Sequence, residues 1–147
     1  TPGMHGSWRD GLVLDNNILF SIINPKSVAS YLFSSLGAGF SAPEFIKSEF
    51  DEHKGDCLFK SKLSEHEFEM RQAEVENAIK FFKLSEYDIF LEPAASALPD
   101  SDDADFVALA LSIKATIWSN DSHLKQQSLV EVYSTAELIG KMLNEEI

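Results

Sequence analysis

Two short apolar runs end in acids. Leu12-Val13-Leu14 leads into Asp15, and Ala115 to Ser119 (ATIWS) is followed at once by Asn120-Asp121. Such runs bounded by turn formers read as buried strands. A brief strand fits Gly39 to Ala42, and Val130 to Tyr133 fits another. Around them apolar residues recur at helical spacing. Val28, Leu32 and Leu36 predict a helix within residues 25–36, closed by Gly37. Asn16-Asn17 reads as a turn, and Pro43 as the opening of a helix through Phe45, Ile46, Glu49 and Phe50. Ser64 with Glu67 forms a capping box ahead of a long helix whose apolar side includes Phe68, Val75, Ile79 and Phe82. Residues 85–98 read as shorter helical pieces interrupted at Pro93, and Pro99 to Ser101 as a loop. A helix from Asp102 or Asp103 is apolar on nearly every side through Phe106 to Ile113, and Ser134 with Glu137 caps a last helix. Strands alternating with helices predict an α/β fold, a three-layer α/β/α sandwich with a mostly parallel central sheet.

The 147 residues suit one domain, 1–147, with no repeat or linker. Met4 is the expected natural start, with Thr1 to Gly3 left over from expression. No secretory leader or membrane-length apolar run is expected, and Cys57 by itself points to a reducing, cytoplasmic setting. With Asp56 beside it, Cys57 reads as a bland thiol rather than a nucleophile. The net charge of −12 is unusual for a nucleic-acid binder. Either the acids are gathered to hold cations that meet phosphate, or the chain does not touch nucleic acid.

In open parallel sheets ligands bind beyond the C-terminal ends of the strands. Asp15 and Asp121 fall at two such ends. Asp102, Asp103 and Asp105 open a helix expected to pack on the sheet, and Glu49 follows the second strand. Uncompensated carboxylates repel, but a divalent cation with oxygen ligands, Mg²⁺ or Mn²⁺, makes a cluster tolerable and can activate water against a phosphodiester. Phosphatases and sugar-nucleotide enzymes share such strand-end acids.

LVLDNNILFS (12–21), SAPEFIKSEF (41–50), DSDDADFVALALSIKATIWSND (100–121) and VYSTAELI (132–139) together resemble PIN domains, the third segment most specifically. That resemblance implies metal-binding, catalytic acids at Asp15, Glu49, Asp103 and Asp121. Asn17 takes the polar place after the first aspartate and Ser119 the hydroxyl before the last. Counting back from Asp121 favours Asp103 as the third acid. Asp105 lies about 200° round the helix from it, and Asp102 and Asp105 are expected to support the site.

Each acid has a plainer reading: a turn residue for Asp15, an N-cap for Asp103, an Asx turn for Asp121, a solvated face for Glu49, with Glu44 its rival as ligand. The histidines, among them His53, His66 and His123, form no metal spacing. Trp118 reads as core, and Trp8 as packing against the domain edge. Lys47, Lys54, Lys60, Lys62 and Arg71 are candidates to guide a phosphate backbone or to keep the surface soluble. The resemblance implies a Mg²⁺- or Mn²⁺-dependent endoribonuclease, either the toxin of a toxin–antitoxin pair of the VapC kind, with a small antitoxin and a homodimer, or a standalone RNA-processing enzyme. The alternatives are a catalytically silent PIN-like protein-binding module, which the acidity favours, and a metal-dependent phosphatase.

Overall fold

The computed structural model describes residues 8–145, so the expectations for Thr1 to Gly3, Met4 and the leader lie outside the described residues. Five strands form one parallel sheet: β1 (Leu12–Leu14), β2 (Phe40–Pro43), β3 (Ile79–Phe82), β4 (Thr116–Trp118) and β5 (Val132–Tyr133), in the order β3-β2-β1-β4-β5. The helices are α1 (Asn16–Ile23), α2 (Val28–Ser35), α3 (Ile46–Glu52), α4 (Lys54–Ser61), α5 (Glu65–Asn77), α6 (Leu91–Ser96), α7 (Ala104–Ile113) and α8 (Thr135–Glu145). Connections from β1 to β2 and from β2 to β3 step outward in one direction. The connection from β3 to β4 returns across the sheet to the other side of β1. Because parallel crossovers are right-handed, this reversal carries α6 and α7 to the opposite face. The three-layer α/β/α arrangement follows, and α7 packs on β1, β2 and β4.

Residues Leu12, Val13 and Leu14 are wholly buried, as a central parallel strand covered on both faces requires. Phe106 to Ala110 are five consecutive buried residues, because α7 is wedged between the sheet and α6. Trp118 is core, its Nε1 donating to Thr135 Oγ1 at 3.0 Å. Trp8 is buried against the same core. The capping boxes at Ser64 and at Ser134 form as expected, with both reciprocal bonds present in each.

Four local expectations change. Asn16 and Asn17 do not make a turn but open α1, because Asp15 caps it: its Oδ1 accepts from Ile18 N at 2.8 Å. Pro43 ends β2 rather than starting a helix, and α3 begins at Ile46. The long helix stops at Asn77, and Ile79 and Phe82 belong to β3, paired in parallel with β2. Four residues of IKFF are too few to separate strand from helix by period, so β3 was hidden inside the helical spacing. Pro93 lies in the first turn of α6, where no backbone hydrogen bond is lost, and so does not interrupt it.

Arg71 is structural rather than a free cation for substrate. Half-buried on α5, it donates through Nη2 to Ile22 O at 2.9 Å, at the carbonyl end of α1. Lys54 pairs with Glu69 at 3.4 Å, and the Lys47 ammonium lies over the Phe81 ring.

The segment joining β4 to β5 carries Asp121 and is held by a single buried amide. Gln127, 6 % exposed, donates to Leu124 O at 2.8 Å and Val130 O at 3.0 Å, and accepts from Leu129 N at 2.8 Å and Val130 N at 3.0 Å. Gln127→Ala would strand these backbone groups, so denaturant unfolding should show a loss of about 1–3 kcal/mol. Gln127→Glu should cost a similar amount, since a carboxylate can accept but not donate.

Candidate active site

The reversal in strand order opens a crevice between the C-terminal ends of β1 and β4. The register Leu14↔Trp118 sets the next residues, Asp15 and Ser119, side by side. Both are buried, Asp15 at 4 % exposure and Ser119 at 0 %. The Ser119 hydroxyl donates to Asp15 Oδ2 and accepts from Asp121 N at 3.0 Å. One hydroxyl thus ties the end of β1 to the backbone of the third acid-bearing segment.

Burial pushes the Asp15 carboxyl above its usual range, against the lowering effect of hydrogen bonds from Ser119 and from the Ile18 backbone; the Asp121 charge raises it further. Asp103 is affected more strongly. Burial, followed by the charges of Asp121, Asp100, Asp15 and Asp102, lifts its carboxyl from 3.8 to about 6. No lysine or arginine contributes a lowering influence to either group. Asp15, Asp103 and Asp121 therefore share one negative field, and among the described residues the His123 imidazole lies 3.6 Å from Asp121 Oδ1.

The plainer readings are decided individually. Asp15 does cap α1, and Asp121 Oδ1 does accept from His123 N at 2.9 Å in an Asx turn. On Asp15 the second carboxylate oxygen receives the Ser119 hydroxyl. Asp103 occupies the N-cap position of α7 yet makes no capping hydrogen bond. Asp105 accepts the buried Tyr87 hydroxyl at 2.6 Å, and burial together with that bond raises the Tyr87 phenol.

Glu49 stands apart from this trio. It is half-buried and accepts from Asn16 Nδ2 at 2.7 Å. It lines a cleft of about 490 Å³ with Tyr87, Asp102 and Asp105. Glu44 is exposed, and its backbone N bonds Phe82 O at 2.8 Å. Asn17 is exposed and contributes a backbone N–H to Asp15, whereas the side chain reaching another expected acid is that of Asn16. Asn120 accepts from Thr135 N at 2.8 Å and so serves α8. Sequence reasoning passed over Asn16, Asp100 and Tyr87. Asp100 was visible in the same acidic run, but nothing local signals that Tyr87 meets Asp105.

An all-oxygen donor set with uncompensated negative charge fits a hard divalent cation such as Mg²⁺ or Mn²⁺. Asp15, Asp103 and Asp121 are the residues that would hold it, with Glu49 outside this trio and bonded to Asn16. Among the described residues no three Asp, Glu, His or Cys side chains already converge as a chelating group. Asp15 and Ser119 are buried, whereas Asp103 and Asp121 are half-buried.

The raised Asp103 pKa has a definite sign in stability. Unfolded, the group ionises near 3.8; folded, near 6. Stability contributed by the neutral acid is full below 3.8 and is lost as pH rises through 6. Metal-free protein should therefore melt at a lower temperature at neutral pH than near pH 4, and Asp103→Asn should reduce that fall. Carbon-13 NMR of the Asp103 carboxyl should show its pKa moving down in Asp121→Asn.

The model of the PIN domain family matches residues 13–138. A solved structure of VapBC2 from Rickettsia felis, bound to a DNA fragment from their promoter, is similar in fold, with a TM-score of 0.61. The similarity has 11% sequence identity and covers 84% of this chain and 98% of that one. No curated protein matches the chain in sequence. With the family model spanning both acid-bearing strand ends and the helix between them, the chain belongs to the PIN-domain family.

Proposed function

We propose that the protein is a divalent-metal-dependent endoribonuclease acting on RNA in the cytoplasm, with residues 1–147 as one catalytic domain. The observation that carries this reading is the shared negative field of Asp15, Asp103 and Asp121 at the switch point of the sheet. PIN domains are generally nucleases that use divalent metal ions, which agrees with this chemistry.

When bound there, Mg²⁺ or Mn²⁺ supplies Lewis-acid stabilisation of phosphate charge and a more acidic water. The chain's own residues hold and orient. Ser119 fixes the carboxylate plane of Asp15 and the backbone before Asp121. Asp103, ionised above about 6, supplies a negative charge facing both. Asn16 holds Glu49, and Tyr87 holds Asp105, on the wall of the neighbouring cleft. Side-chain ligation by these acids, rather than a basic face, would reconcile RNA cleavage with a net charge of −12.

The fold likeness to VapBC2 supports the narrower reading of a toxin restrained by a small antitoxin, and a homodimer belongs to the same reading. The acidity of the chain suits a basic partner. Among the described residues no helix is long and apolar enough to cross a membrane.

Mixed-sequence RNA incubated with Mn²⁺, Mg²⁺ or chelator tests the nuclease reading. Cleavage should require metal and fall by about a hundredfold or more in Asp15→Asn and in Asp103→Asn, with circular dichroism unchanged. Calorimetric Mn²⁺ binding should weaken in both variants. RNA left intact under every metal, with no ion binding that the substitutions weaken, would favour a silent protein-binding module instead. Cleavage of small phosphate monoesters but not RNA would favour a phosphatase.

A further inference from the structure

A pocket of about 440 Å³ opens beside the acidic centre, between α1 and α4. It begins at Asn16 and Asn17, the two residues after Asp15, and its volume lies in the range of about 300–1,000 Å³ usual for small-molecule sites. Its composition differs from that of the centre. Phe20 presents a half-buried ring, tilted at 5.5 Å against the His53 ring. The Asn17 side chain and the Ser21 hydroxyl make no hydrogen bond to the described residues, nor does the Asn24 amide nitrogen. Lys60, also on the wall, has no ion-pair partner among the described residues. Asp56 is the acid lining it, so in a chain of net charge −12 this wall carries no acidic excess.

We infer that this pocket is a nucleobase subsite, taking one base of single-stranded RNA next to the phosphate held at the acidic centre; this rests on the nuclease reading. Bases of single-stranded RNA are recognised by stacking on aromatic rings and by hydrogen bonds to their exposed edges. Phe20 with His53 supplies the ring surface. Asn17, Ser21 and Asn24 supply donors and acceptors for a base edge, and Asp56 an acceptor for an exocyclic amine. Lys60 supplies a charge for the adjoining phosphate. The pocket and the centre are joined along the chain, since Asn16 lines the pocket and directly follows Asp15.

The test is equilibrium binding in Ca²⁺, an oxygen-preferring ion used in place of Mg²⁺ with strand integrity checked by gel, of short single-stranded RNA and of an abasic ribose-phosphate strand of equal length. Ser21 is exposed on α1, so Ser21→Trp fills the pocket without disturbing the core. Wild type should bind the RNA about tenfold more tightly than the abasic strand. Ser21→Trp should erase that difference while leaving abasic binding and the melting temperature unchanged. Lys60→Gln should weaken both strands and lower the salt slope by about 0.7. No preference for bases in wild type, or a preference that survives Ser21→Trp, would overturn the subsite. If that happens while wild type still cuts RNA with metal, the nuclease reading stands and the subsite alone falls. Base-dependent binding lost in Ser21→Trp, with no cleavage by wild type, would keep the subsite and reject the nuclease.

Discussion

The hydrogen bond from Ser119 to Asp15 joins residues 104 positions apart, and the functional centre is organised around it. A carboxylate this deeply buried is costly unless its oxygens are occupied. Here one oxygen caps α1 and the other receives the serine hydroxyl. That bond exists only because β4 lies beside β1 with Leu14 opposite Trp118. A slip of one residue would turn Ser119 to the other face of the sheet and leave Asp15 without its partner. The right-handed crossovers and the reversal of strand order are what bring β4 to that place.

Around this bond the many acids of the chain are sorted by what occupies their oxygens. Tyr87 takes Asp105, Asn16 takes Glu49, and the backbone of Asp102 takes Asp100. Asp103 is left without a capping bond and faces Asp121 and Asp15, and its carboxyl rises accordingly. Repulsion adds to burial in raising Asp15 and Asp103, and an added cation would relieve it. The same sorting leaves the pocket beyond Asn16 comparatively free of acids, so the charge of the acidic centre and the wall proposed to hold a base are separate.

Much of the fold was readable because local signals were strong. The capping boxes at Ser64 and Ser134, the Gly37 helix end with its positive φ of 65, and the two apolar runs before Asp15 and Asp121 each had a local physical cause. β3 was not readable, since Ile79 to Phe82 continue a helical spacing and become a strand only because β2 offers an edge. The opening pair of α1, Asn16-Asn17, reads as a turn because asparagines favour turns. The cap that Asp15 makes, and the burial of Ile18, Leu19, Ile22 and Ile23 against the core, outweighed that preference.

The sequence by itself determined the chemistry available: strand-end acids, a hydroxyl before the last of them, and a family pattern spanning them. Helical phase also separated Asp103 from Asp105 before any contact was known. Only the tertiary structure decided the company each acid keeps. Whether Glu49 meets Asn16 or Asn17, and whether Asp105 meets Tyr87, depends on elements brought together from distant parts of the chain. Spacing along a helix or strand fixes direction within one element, whereas the free energy of a buried charge depends on every neighbour that packing supplies.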